Sequence, residues 1–119
     1  MPQLKMKKIS LTTIVTNDGD FCVRRKPATM TSARAELDVV RLSNDNPPDA
    51  SGNNNITVSI SPAEAAKLFD PIPTSPNVLT PGSSVDWTVK ASLPGPVSVN
   101  YQTEPDNCEG QDQGDIIVQ

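Results

Sequence analysis

Residues 81–93, PGSSVDWTVKASL, carry the clearest alternation of apolar and polar positions in the chain. Val85, Trp87, Val89, Ala91 and Leu93 alternate with Asp86, Thr88, Lys90 and Ser92. A period of two sets one face in a core and the other in water. Pro81-Gly82 ahead is turn chemistry, and Pro94-Gly95-Pro96 behind ends a ladder, because proline has no N–H to give it. The pattern predicts a strand over 84–93, with Trp87, the sole tryptophan, as the core anchor.

The same reading extends along the chain. Ile9, Leu11, Thr13 and Val15 oppose Lys8, Ser10, Thr12 and Ile14, a long strand whose lysines put it near a sheet edge. Asn17-Asp18-Gly19-Asp20 reads as a type I′ hairpin turn, with Phe21–Lys26 returning and Pro27 ending the return. Ala33–Leu42 changes phase at Val40, which predicts a strand with a β-bulge. A helix is the rival there, since Ala, Arg, Glu and Leu favour one; Asp38-Val39-Val40 decides for strand. Residues 43–55 form a polar loop with nothing to pack, and Ile56, Val58 and Ile60 make a short strand.

Ser61-Pro62-Ala63-Glu64 starts a helix over 62–69, with Ser61 as N-cap, proline at N1 and Glu64 closing a capping box. Asp70-Pro71 stops it. Residues 71–81, with four prolines, make an extended crossing. Val97, Val99 and Tyr101 then alternate, and this strand is expected to form a hairpin with 84–93 across Pro94-Gly95-Pro96. A polar loop, 104–114, holds Cys108, and residues 115–119 close the chain as a strand. The sum is an all-β fold: an antiparallel β-sandwich of seven to eight strands with one short helix, in a single domain over 1–119.

Composition sharpens the picture. Only 3% of residues are aromatic and 35% are hydrophobic, so the core is thin and aliphatic. Phe21, Phe69, Trp87 and Tyr101 all fall on inferred core faces, which leaves no outward aromatic platform. No apolar run approaches the roughly 20 residues of a membrane span. Residues 9–15 are too short and too polar for the apolar region of a signal peptide; a mature chain already relieved of its signal stays open.

Net charge is −4, unevenly spread. Residues 1–42 hold eight basic and four acidic side chains, and the remainder holds Lys67 and Lys90 against ten acids. The expectation is that the two sets pair across neighbouring strands or sit solvated. An acidic total without basic–aromatic interleaving argues against nucleic acid.

The chain has no histidine. That removes Ser-His-Asp and Cys-His catalysis and every histidine-ligated zinc or copper centre. No phosphate-binding glycine loop occurs. Asp18 with Asp20, and Asp45 with Asp49, offer oxygen ligands for calcium, yet neither fits an EF-hand and both suit plain turns. Glu104, Asp106, Glu109, Asp112 and Asp115 read as a solvated acidic loop. No catalytic residue, cofactor or metal site is expected.

Pro81-Gly82, Val85-Asp86-Trp87-Thr88, Tyr101, Cys108 and Gly114-Asp115-Ile116-Ile117-Val118 together resemble the C-terminal half of the cupredoxin family. The resemblance implies a β-sandwich in which Cys108 matches a copper-ligand position. Both histidine ligands are missing and no methionine follows Met30, so blue-copper electron transfer is not implied, and no metal role passes to Cys108. An immunoglobulin-like sandwich is the alternative; its Cys-Trp-Cys order is present in Cys22, Trp87 and Cys108, but with about 65 residues from Cys22 to Trp87 the spacing is too long.

In a sandwich, early and late strands are often neighbours, so Cys22 and Cys108 are expected to form a disulfide if the protein is exported; two free thiols are the cytosolic alternative. The functional expectation is a non-catalytic binding or structural module acting through protein–protein contacts, by edge strands or loops. It would belong to a larger extracellular or particle assembly, with a protein partner or self-assembly and no enzyme activity. The alternative is a small-ligand, carbohydrate or calcium-binding module.

Overall fold

A computed structural model describes residues 4–48, 54–105, 108 and 114–119. Its strands are β1 (Met6–Val15), β2 (Phe21–Lys26), β3 (Thr29–Ser32), β4 (Val39–Asn44), β5 (Ile56–Ser59), β6 (Asn77–Leu79), β7 (Ser84–Thr88), β8 (Val97–Glu104) and β9 (Gly114–Val118). One helix, α1 (Pro62–Leu68), and a 3-10 turn at Arg34–Glu36 complete them. Sheet 1 runs β2-β1-β4-β7 and sheet 2 runs β3-β9-β8-β5-β6.

The fold is all-β and sandwich-like, as the alternation predicts, but the sheets are mixed rather than antiparallel. β1 runs parallel to β4, and β3 parallel to β9. The chain achieves this by changing sheets at Pro27-Ala28, so that β2 and β3 belong to opposite layers. β1 is therefore interior to sheet 1, not an edge; its lysines sit at its N-terminal end and on its outward face.

Nine strands are described, against an expected seven to eight. The two unforeseen ones are short: β3 has a single buried apolar residue, Met30, and β6 lies inside the proline-rich crossing. β7 ends at Thr88, and only an isolated bridge, Phe69 with Val89, continues it. The expected hairpin between residues 84–93 and β8 does not form. β7 pairs with β4 in sheet 1, β8 pairs with β9 and β5 in sheet 2, and Pro94-Gly95-Pro96 carries the chain between layers.

The inner faces supply the core. Ile9, Leu11, Val23, Val40, Leu42 and Trp87 from sheet 1 meet Ile56, Val58, Val99, Tyr101, Ile116 and Val118 from sheet 2. Trp87 is 1% exposed and lies edge-on to both Phe69, at 5.3 Å, and Tyr101, at 6.3 Å. It thereby links the helix end, sheet 1 and sheet 2, the anchoring position expected of it. Tyr101 lies over Gly114, its registered partner on β9. Burial pushes its hydroxyl up to about 12, with Arg25 pulling it down and Asp115 raising it.

Local chemistry explains the remaining differences. In the β1–β2 hairpin only Gly19 has positive φ, at 84°, and its N–H donates to Thr16 C=O (3.0 Å). This is a turn followed by one left-handed residue, not type I′, which needs two such residues. The phase change at Val40 arises from the 3-10 turn at 34–36, not from a bulge in one strand. Arg34 fastens that turn by donating to Leu37 C=O (2.8 Å) and Lys90 C=O (2.6 Å).

At α1, Ser61 accepts the Glu64 N–H (3.2 Å), so the N-cap forms as read. The Glu64 carboxylate does not close a reciprocal box. It accepts the Asn100 N–H of β8 (3.0 Å) and pairs with Lys67 (2.6 Å). These two contacts hold it below the usual carboxylate range, Lys67 contributing most. β5 ends at Ser59, so the helix covers β8 beyond it and Glu64 satisfies a ladder donor.

Candidate functional site

The polar loop after β4 does pack. Asn44 is fully buried, and its amide donates to Asn54 C=O and Leu79 C=O (both 2.7 Å). Asn46 donates to Thr13 Oγ1 (2.8 Å) and accepts the Thr13 N–H (2.7 Å). These amides replace missing backbone partners and fix both ends of the loop to β1 and β6, in keeping with the rule that buried polar groups find partners. Asp45 takes hydrogen bonds from Ser10 and Ser43 and an ion pair from Lys8 at 3.0 Å. Burial raises its carboxyl, and these donors together outweigh that and hold it low. Its oxygens are committed to protein donors; Asp49 lies outside the described residues.

Cys22 and Cys108 are joined by a disulfide, with Cα atoms 4.8 Å apart and a sequence separation of 86. The Cys108 sulfur is thus bonded to carbon and sulfur and is not a free thiolate. The Cys108 N–H donates to Val23 C=O (2.9 Å), closing part of the outer edge of β2. Among the described residues no three Cys, Asp or Glu side chains gather closely enough to hold a metal ion. Of the acidic loop, Glu104 and Asp115 stand on the outward face of sheet 2, while Asp106, Glu109 and Asp112 lie outside the described residues.

Two surface features remain as candidates. The first is the division of charge between sheets. The four strands of sheet 1 hold Lys7, Lys8, Arg24, Arg25, Lys26 and Arg41 against a single acid, Asp86. The five strands of sheet 2 contain no Lys or Arg and hold Glu104 and Asp115. On the outward face of sheet 1, Arg41 makes a two-pronged pair with Asp86 (2.7 and 2.9 Å), its registered neighbour on β7. That pair lowers the Asp86 carboxyl, the Arg41 hydrogen bond being the main cause. It meets the expectation of cross-strand pairing. Arg24 and Lys26, both exposed, have no ion-pair partner among the described residues.

The second is a groove of about 1170 Å³ beside the β5–β8 pair. Thr57, Ser59, Gln102 and Glu104 lie along it, Thr57 opposite Glu104 and Ser59 opposite Gln102. Asp20, Phe21, Pro76 and Pro105 flank it. Phe21 corrects the expectation that all four aromatics are internal. It shares the inward register of Val23 and Arg25, but it stands at the open end of β2 and is 40% exposed. Period-two reading assigns a side chain to a face; it does not say whether another sheet reaches under that end of the strand. A smaller concavity of about 150 Å³ adjoins, sharing Ser59 and Gln102 and adding Ser61, Glu64 and Asn100.

No protein-family model matches the chain, and no curated protein matches it.

Proposed function

We propose that this is a non-catalytic binding module that contacts protein partners through its broad sheet faces, copies of itself included. The observation that carries the reading is the opposite charge of the two outward faces, Lys8, Arg24, Lys26 and Arg41 against Asp86 on sheet 1 and Glu104 and Asp115 alone on sheet 2. A molecule with one basic and one acidic face is complementary to a second copy placed head to tail, and such heterologous contacts build rings or filaments. Charge complementarity of this kind sets orientation and on-rate.

The edges are less suited to pairing. β3 and β6 are four and three residues long, β2 is partly capped by Cys108, and the end of β7 is bonded by Asp70. Short or covered edges resist strand addition. Two of the four outward cations, Lys8 and Arg41, already hold acids, which leaves too few for a phosphate backbone and favours protein.

Sedimentation velocity at low and high salt tests the reading. Self-association that weakens with salt is expected, because exposed charges are screened beyond about 10 Å at 0.1 M. Arg24→Glu with Lys26→Glu should abolish it, and Glu104→Lys with Asp115→Lys should do the same. A monomer at every salt and concentration refutes self-assembly.

A further inference from the structure

The groove beside β5 and β8 sets an exposed aromatic ring and two prolines beside hydroxyl, amide and carboxylate groups. We propose that it binds a neutral oligosaccharide, with the Phe21 ring as its apolar platform. This goes beyond the protein-contact reading, and of the groove's strand residues only Glu104 also belongs to the charged faces.

Three observations carry it. First, Phe21 is a large aromatic left 40% exposed at the groove wall, in a chain with only four aromatics, the other three buried. Leaving such a ring in water forfeits burial that the other three aromatics have. Second, the groove residues Thr57, Ser59, Gln102 and Glu104 make no side-chain hydrogen bond among the described residues, although strand pairing holds their backbones in fixed register. Two hydroxyls, an amide and a carboxylate offer both donors and acceptors to a ligand rich in hydroxyl groups. Third, the lining includes no Lys or Arg among the described residues and carries Asp20 and Glu104. That excludes phosphate, sulfate and uronate ligands by like-charge repulsion and leaves neutral sugars, whose hydroxyls donate to carboxylates.

A pyranose presents an apolar face of C–H groups and an edge of hydroxyls. The first suits Phe21, Pro76 and Pro105, and the second suits the hydroxyl, amide and carboxylate groups of β5 and β8. The smaller concavity continues past Ser59 and Gln102 towards Asn100, so the track takes more than one ring. Mixed pockets of this type, apolar with a few fixed polar groups, are the usual form of small-ligand sites.

The test is titration of the intact, disulfide-bonded protein, followed by heteronuclear NMR. The probes are the hexasaccharides of cellulose, xylan, chitin and amylose, with hexagalacturonate as the anionic comparison. At least one neutral probe should move the Thr57, Ser59 and Gln102 amide signals in a saturable way. Phe21→Ala and Gln102→Ala, both at exposed positions, should each weaken that binding about tenfold, a loss of about 1.4 kcal/mol, while the remaining signals keep their positions. Three results overturn the proposal: no neutral probe shifts those amides, hexagalacturonate binds more tightly than every neutral probe, or binding survives unchanged in both variants.

Discussion

Gly114→Ala should destabilise this protein, reversing the sign that strand chemistry alone predicts. Replacing glycine by alanine in a strand normally stabilises by about 0.5–1 kcal/mol, because the unfolded chain loses freedom. At Gly114 a Cβ would stand 2.2 Å from Cζ of Tyr101, 2.5 Å from Cε1 and 2.6 Å from its hydroxyl oxygen. Ordinary carbon contacts lie near 3.5–4.0 Å, so the ring would have to retreat by about 1–2 Å. It has little room to do so. Tyr101 is fully buried, Trp87 stands 6.3 Å from it edge-on, and the Arg25 guanidinium lies 5.3 Å from its centroid.

Two limits bracket the cost. If the core yields locally, overpacking costs about 1–3 kcal/mol. If the ring is expelled, an aromatic burying roughly 150–250 Å² at about 25 cal/mol per Å² loses about 4–6 kcal/mol. A destabilisation of about 2–5 kcal/mol lies between them. Urea unfolding read by Trp87 fluorescence measures it. In thermal unfolding each kcal/mol corresponds to a fall of about 4 °C in Tm. A double-mutant cycle isolates the cause: in a Tyr101→Ala background, Gly114→Ala should cost less than about 1 kcal/mol, since the clash partner is gone. A Gly114→Ala protein as stable as wild type, or equal costs in both backgrounds, would refute the reasoning.

Trp87→Ala removes the side chain that bridges both sheets and the helix end, and should cost about 3–5 kcal/mol; a native fluorescence maximum at the solvent-exposed position would contradict its burial. Reducing Cys22–Cys108 frees a loop spanning 86 residues, for which the chain-entropy model gives a loss of about 4–5 kcal/mol; an unchanged urea midpoint under reductant would count against it. Tyr101→Phe should be neutral or stabilising by about 1 kcal/mol, because the buried hydroxyl has no hydrogen-bond partner among the described residues. It should also flatten the alkaline limb of the stability curve. The native pKa of about 12 exceeds the usual 10, so the tyrosine contributes stability below pH 10 that is lost as pH rises towards 12; an unchanged limb in the variant would assign it to other groups.

Strand identity was legible wherever alternation ran over five or more residues, as in β1, β2 and β8, because burial on one face of a sheet leaves a period of two. β3 and β6 escaped because three or four residues with one buried apolar side chain leave no hydrophobic period to read. Pairing partners were least legible. The turn residues 94–96 looked like a hairpin connection because they are short and proline-rich, yet a short connection can equally carry a chain from one layer to the other. The disulfide was legible as a possibility from the early and late positions of Cys22 and Cys108, and only coordinates decide whether two Cα atoms come within reach. The groove was not legible at all, since Thr57, Ser59 and Gln102 read as ordinary outward strand residues, Glu104 as part of a solvated acidic loop and Phe21 as a core residue.

The charge split shows how topology turns a sequence feature into a surface. The excess of basic residues in 1–42 and of acids thereafter reads along the chain as a simple imbalance. β1, β2 and β4, all built within the first 44 residues, then make three of the four strands of sheet 1, while sheet 2 draws four of its five strands from residue 56 onward. The exception, β3, is the one early strand without a charged residue. β7 is the one late strand in sheet 1, and its single acid, Asp86, is held by Arg41. Parallel pairing of β1 with β4 is what keeps the basic strands together. With β2 and β4 flanking β1, the outward side chains Lys8, Arg24, Lys26 and Arg41 share one face. Had β4 crossed to the other layer, Arg41 would have joined Glu104 and Asp115, and the two faces would be closer to neutral. The opposition of the faces is therefore a property of strand order, which substitution of single surface charges can weaken but only a change of topology would remove.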